Sequence, residues 1–90
     1  MELFVLKPCR TGRDYELHPR KKMEVDLKGA AALLSRAGFE VELATPLVLF
    51  LRLGVVGLAL YKSGRVLVRG AGSEQAAGEI GRRLYSSLAG

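Results

Sequence analysis

Three β-rich runs follow one another between residues 47 and 69 with very short connections. They read LVLFLRL at 47–53, VVGLALY at 55–61 and RVLVR at 65–69. Gly54 alone separates the first two runs, and Lys62-Ser63-Gly64 joins the second to the third, where a glycine accommodates the positive φ of a hairpin turn. This succession predicts three consecutive strands.

The same region contains an apolar stretch, 43–61, that is long enough to span a membrane. Arg52 lies near its middle and would cost about 2.5–3.5 kcal/mol at the centre of a bilayer. Pro46, Gly54 and Gly57 interrupt the stretch further. We therefore expect two strands here and no membrane span.

Two further strands are predicted outside this region. ELFVLK at 2–7 is a short apolar run that ends at Pro8. FEVEL at 39–43 alternates strictly, which places Leu43 on the apolar side and the two glutamates on the other. In the run at 47–53 the same alternation assigns the leucines, including Leu47, to the core.

Two segments have helical periodicity. Asp26 is a favourable N-cap before LKGAAALLSRA, and Gly38 is a favourable residue just beyond the helix end. From Ser73 onward, apolar residues recur three or four positions apart almost to the end of the sequence. The predicted order is β-α-β-β-β-β-α.

Alternating strands combined with only two helices indicate an antiparallel sheet covered on one side. We therefore predict a single α+β domain, 1–90, with a five-stranded antiparallel sheet and two helices on one face. Residues 8–23, PCRTGRDYELHPRKKM, are predicted to form a basic loop, with a short strand at 15–18 as an alternative. The loop is interpreted either as a solvated segment or as an arm that grips anions.

The positive charge of the chain is concentrated in one region. The net charge is +5, and 43–73 contains four basic residues and no acidic one. An excess of this kind favours an anionic partner. The single cysteine, Cys9, excludes an internal disulfide and suits a reducing compartment, so a cytoplasmic protein is expected.

Period-two alternation in RVLVR directs Val66 and Val68 inward and the arginines outward. Carried across the neighbouring strands, the same register predicts an open sheet face with Ala59, Val48 and Phe50 among its residues. Guanidinium groups bind phosphates, and flat apolar side chains stack on sugars and bases. The predicted nucleic-acid-binding residues are Arg52, Tyr61, Lys62, Arg65, Leu67 and Arg69. The alternatives are a protein-interaction or self-association module without a nucleic-acid role, and an inert solvated face.

Other chemistry has little support in the sequence. Gly70-Ala71-Gly72-Ser73 lacks both the third glycine of a dinucleotide fingerprint and a Walker lysine, and is better explained as a capped turn. His18 and Cys9 are the only histidine and cysteine, and no third group is evident for catalysis or for a zinc site. We therefore expect no enzyme activity, catalytic residue, metal or cofactor.

The segment LALYKSGRVLVRGAGSEQAA resembles the strand–hairpin–strand–helix signature of one repeat of the TATA-box-binding protein family. EVDLKGAAALL resembles the entry to the first helix of that repeat, and the chain is also similar to the amino-terminal substrate-binding domain of type-3 ribonuclease H. The resemblance covers about 24–90. It implies a half-saddle whose sheet faces nucleic acid, with the family's intercalating aromatic falling on Tyr61 and its groove contacts on Leu67 and Arg69.

Assembly is the last expectation. In the full saddle of that family two half-repeats join along their first strands, and the corresponding strand here is 2–7. An apolar edge strand left unpaired is a liability that proteins usually cover. We predict a homodimer through 2–7; the alternative is that 15–18 folds back and covers the edge within one chain.

Overall fold

The computed structural model describes residues 3–9 and 14–89. Two helices and six strands lie within these ranges. They are β1 (Phe4–Pro8), β2 (Tyr15–Pro19), α1 (Leu27–Arg36), β3 (Glu40–Ala44), β4 (Val48–Leu53), β5 (Val56–Tyr61), β6 (Val66–Arg69) and α2 (Glu74–Ala89). All neighbouring strands pair antiparallel, in the order β1-β2-β6-β5-β4-β3. The α+β class and the antiparallel sheet are confirmed.

The predicted number of five strands is wrong, because β2 lies in the segment assigned to the basic loop. Tyr15 and Leu17 are buried, and β2 pairs with β1 on one side and with β6 on the other. The prolines at 8 and 19 suggested a loop, but each one ends a strand, where a missing N–H costs little. Arg10 and Arg13 of the predicted loop lie outside the described residues.

Both helices pack on the same face of the sheet. The helix α1 covers β3 and β4, and α2 covers β1 and β2. Between helices and sheet lies one apolar core, in which Leu17, Leu34, Leu60 and Leu84 have no exposed surface. The predicted placement of the two helices on one face is confirmed.

The predicted helix ends are close to those observed. Asp26 occupies the N-cap position of α1, although its side chain makes no capping hydrogen bond. Gly38 follows the helix with a φ of +100°, a conformation that glycine adopts without strain. Ser73 precedes α2, and its Oγ accepts a hydrogen bond from the Ala76 N–H at 3.1 Å. The glycine-rich stretch at 70–73 therefore forms a capped turn.

Two leucines assigned to the core are instead exposed. Leu43 and Leu47 are 56% and 71% exposed. The pairing of β3 with β4 shifts between Val41 and Leu43, so that Leu43 lies opposite Phe50 on the uncovered face. A bulge inserts one residue and reverses the facing of every residue beyond it, which strict alternation cannot anticipate. The stretch 43–61 contains β4 and β5, and no helix among the described residues is long and apolar enough to cross a membrane.

Candidate nucleic-acid interface

The sheet surface opposite the helices, called the open face below, is covered by neither helix. Val66 and Val68 of β6 are fully buried against the helices, whereas Arg65, Leu67 and Arg69 keep part of their surface exposed. The predicted division of RVLVR between two faces is therefore confirmed. The alternation in β4 and β5 likewise places Arg52 and Tyr61 on the open face.

The strand register arranges the open face in rows that run across the sheet. One row consists of Glu40, Arg52, Gly57 and Arg69, in which each residue is the direct cross-strand partner of the next. The adjacent row consists of Leu43, Phe50, Ala59, Leu67, Glu16 and Lys7. A third row contains Val48, Tyr61 and Arg65. The open face thus presents a central row that is apolar from Leu43 to Leu67, with arginines in the rows on both sides of it.

Arg65 is held by two neighbours on the open face. Its guanidinium carbon lies 4.5 Å from the centre of the Tyr61 ring, a cation–π contact. Its Nη1 lies 3.7 Å from Oε1 of Glu16, which also lies 3.5 Å from Nε2 of His18. Because Arg65 and Glu16 are both partly exposed, their ion pair contributes little stability but reduces the positive charge of the face.

Arg52 is also paired with a carboxylate. Its Nε donates a hydrogen bond to Oε2 of Glu42 at 2.9 Å. Glu42 lies at the bulge of β3, on the polar side predicted for it.

Glu16 was not predicted as a residue of the open face, because 8–23 was interpreted as a loop. The alternation of Tyr15-Glu16-Leu17-His18 is the sequence signal that could have identified it.

Lys62 is the one predicted binding residue that lies away from the open face. It occupies the turn between β5 and β6, where its backbone C=O accepts a hydrogen bond from the Val25 N–H at 2.7 Å. Its exposed side chain borders a groove formed with 24–28 and 44–46. The structure therefore brings together Arg52, Tyr61, Arg65, Leu67 and Arg69, without Lys62.

Gly57 was not predicted as a site residue, yet it forms the floor of a shallow depression in the open face. The depression has a volume of about 390 Å³. Its lining includes Glu42, Phe50, Arg52, Ala59, Leu67 and Arg69. A glycine inside a strand is the sequence signal for such a feature.

Cys9 and His18 are not brought together as a catalytic pair. His18 lies opposite Val5 of β1, and Cys9 follows Val5 by four residues, just after the strand ends, which corresponds to about 13 Å at the usual rise of a strand. Burial raises the pKa of the Cys9 thiol, and the carboxylates of Glu16 and Asp14 raise it further, which disfavours the nucleophilic thiolate. Within 3–9 and 14–89, no three metal-ligating side chains cluster.

The fold and this face define a small α+β protein with one uncovered sheet surface of mixed charge. No protein-family model, curated protein or solved structure matches the chain.

Proposed function

We propose that this chain is a cytoplasmic, non-catalytic module that binds nucleic acid on the open face of its sheet. The observation that carries the proposal is the position of Arg52, Arg65 and Arg69 on one surface that neither helix covers. Arginine is well suited to phosphate, because its guanidinium donates two parallel hydrogen bonds to phosphate oxygens. The apolar row beside the arginines suits sugars and bases.

The resemblance to a half-saddle of the TATA-box-binding protein family agrees with this proposal. The two helices on one face and the hairpin at 61–65 are features that such a fold requires. The additional strand β2, between β1 and β6, is a departure from the predicted order of elements. It brings Glu16 onto the face, so we expect a lower affinity than three unpaired arginines would produce.

The proposal is tested by removing two arginines from the centre of the face. We expect Arg65→Ala combined with Arg69→Ala to weaken oligonucleotide binding by about tenfold or more, because phosphate contacts dominate such affinities. The slope of log affinity against log salt should fall by roughly 1.4, at about 0.7 per phosphate contact on a single strand. Fluorescence anisotropy at several salt concentrations measures both quantities.

A matched control removes equal charge from the opposite side of the molecule. Lys28 and Arg36 are exposed residues of α1. Lys28→Ala combined with Arg36→Ala should leave binding close to that of the unchanged protein. Equal losses in both double variants would indicate attraction by net charge alone, and unchanged binding without Arg65 and Arg69 would exclude the open face. Glu42→Gln should strengthen binding, since it removes a negative charge beside Arg52.

A second candidate function is self-association, which the outer edge of β1 favours. Leu3 C=O accepts from the Arg20 N–H, and the Cys9 N–H donates to Asp14 C=O, so alternate residues of β1 bond to β2. The backbone N–H and C=O groups of Phe4 and Leu6 consequently point away from β2, toward the outer edge of the sheet. We propose that a second copy pairs antiparallel with this edge, Phe4 opposite the partner copy's Leu6, in a homodimer.

We expect Val5→Lys to convert such a dimer to a monomer. Val5 is 36% exposed and would lie opposite its own copy, so two lysine side chains would meet on the two-fold axis. Light scattering at tens of micromolar should give twice 9.7 kDa for the unchanged protein and one chain mass for the variant. Phe4 is unsuitable for this test because it is buried in the core.

Val55→Lys is the matched control for the dimer. Val55 lies in the turn between β4 and β5 and is 86% exposed, so a lysine there should leave the mass unchanged. A single-chain mass for the unchanged protein would contradict the homodimer.

A further inference from the structure

Neither a positive φ nor crowding at the Cβ position requires a glycine at position 57. It lies inside β5, its φ is not positive, and a Cβ built on it would meet no atom within 4 Å. Glycine in a strand interior costs conformational entropy and contributes no packing. A position of this kind often marks the close approach of a ligand, which here would enter from the open face.

Two guanidinium groups flank this gap. Arg52 and Arg69 are the cross-strand partners of Gly57 on either side, so their Cα atoms lie about 10 Å apart. Two arginine side chains whose Cα atoms are this far apart are long enough for their guanidinium groups to meet above Gly57. The hydrogen bond of Arg52 to Glu42 uses Nε, which leaves both Nη groups of Arg52 for an anion.

An apolar surface borders the same depression. Phe50, Ala59 and Leu67 are consecutive in the adjacent row, one strand apart from one another. Ala59 is 5% exposed, so the larger neighbours Phe50 and Leu67 form most of this surface. A flat apolar group placed on it would lie next to an anion held above Gly57.

Building on the function proposed above, we propose that the depression binds one nucleotide of a single-stranded nucleic acid and is thus a nucleotide site. Its phosphodiester lies over Gly57 between Arg52 and Arg69, and its base lies on Phe50 and Leu67. A single strand is required because the faces of paired bases in a duplex are stacked on one another and do not reach an apolar platform.

Gly57→Leu tests the proposed nucleotide site, because the leucine side chain would occupy the depression. A Cβ at position 57 would meet no atom within 4 Å, and replacing a glycine inside a strand reduces the conformational entropy lost on folding, so the melting temperature should equal or exceed that of the unchanged protein. The affinity for a labelled ten-nucleotide thymidine strand should fall by about tenfold. Ala32→Leu, on the exposed side of α1, introduces a leucine side chain elsewhere and should change neither quantity.

Two further probes separate phosphate from base recognition. An abasic strand with the same number of phosphates should bind the unchanged protein about tenfold more weakly than the thymidine strand. The thymidine strand should also bind more tightly than a duplex of equal length. In nuclear magnetic resonance, inorganic phosphate should shift the Gly57 amide and the Nε–H signals of both arginines, a readout that does not depend on how the variant folds.

If the unchanged protein binds oligonucleotides and Gly57→Leu binds them equally well, the nucleotide site at Gly57 is excluded while the proposed function stands. If the Gly57 amide signal does not shift on addition of phosphate, the nucleotide site is also excluded. Tighter binding of the duplex overturns the single-strand assignment. If the unchanged protein binds no oligonucleotide at low salt, both the proposed function and the nucleotide site are excluded.

Discussion

Replacement of Tyr85 by alanine is expected to lower the free energy of unfolding by about 3–5 kcal/mol, the usual range for removing a buried aromatic side chain. Tyr85 belongs to α2 and is only 4% exposed. Its ring stacks on Phe4 with a centroid distance of 5.2 Å. Its hydroxyl donates a hydrogen bond to the backbone C=O of Gly64 at 2.5 Å. One side chain therefore joins α2 to the edge strand β1 and to the β5–β6 turn.

Tyr85→Phe separates the hydroxyl from the ring. We expect it to cost about 1–3 kcal/mol, since the Gly64 carbonyl would lose a buried hydrogen-bond donor. Tyr61→Phe is the matched control, because Tyr61 lies half-exposed on the open face and should change stability by about 0.5 kcal/mol at most. Chemical denaturation measures both variants. Equal stability of Tyr85→Phe and the unchanged protein would exclude the bond to Gly64 as a source of stability.

The pH dependence of stability provides a second readout of Tyr85. Burial raises the pKa of its hydroxyl above the ordinary value of 10.0. Above that pH the unfolded chain releases the proton while the folded chain keeps it, so the folded state binds more protons and stability falls as pH increases. The contribution is complete below about pH 10 and decreases above it. Tyr85→Phe should reduce this alkaline loss.

Gly81→Ala is expected to lower the free energy of unfolding by about 1–3 kcal/mol through overpacking. In an exposed helix the same change would be stabilising by about 0.5–1 kcal/mol, because alanine loses less conformational entropy. At position 81, however, a Cβ would lie 2.6 Å from Cδ1 of Leu17 and 2.9 Å from Cζ of Phe4. Both side chains are buried and confined, so neither can move away at low cost.

Gly78→Ala provides the matched control in the same helix, almost one turn earlier. Its Cβ would meet Cδ1 of Leu6 at 3.9 Å and Nη1 of Arg82 at 3.7 Å, which are ordinary contacts. We therefore expect this variant to gain about 0.5–1 kcal/mol. Opposite signs for the two alanines, measured by chemical denaturation, would verify the close approach of α2 to β1 and β2. A gain in both would contradict it.

Local sequence patterns were sufficient where a structural element depends on its own residues. The alternation of RVLVR divided Val66 and Val68 from the arginines, because successive side chains in any strand point to opposite faces. Gly38 and Ser73 marked helix ends, because positive φ and a capping hydroxyl are local requirements. These signals predicted the two helices, five of the six strands and most of the open face.

The strand β2 could not be inferred with the same security. Its five residues, YELHP, include the polar residues Glu16 and His18 and a proline, so their intrinsic preference for a strand is weak. They form a strand because β1 and β6 supply partners on both sides, and Leu17 and Tyr15 become buried beneath α2. Pairing between segments about 50 residues apart is a property of the assembled sheet.

The sequence by itself determined that a basic, partly apolar sheet surface exists, because period two and an acid-free stretch at 43–73 are properties of consecutive residues. Only the tertiary structure decided how much positive charge that surface retains. Strand pairing placed Glu16 beside Arg65, and the bulge in β3 set Glu42 against Arg52. The same pairing left Gly57 between Arg52 and Arg69. Neighbours across a sheet are distant in sequence, so charge balance and shape emerge only when the strands are in register.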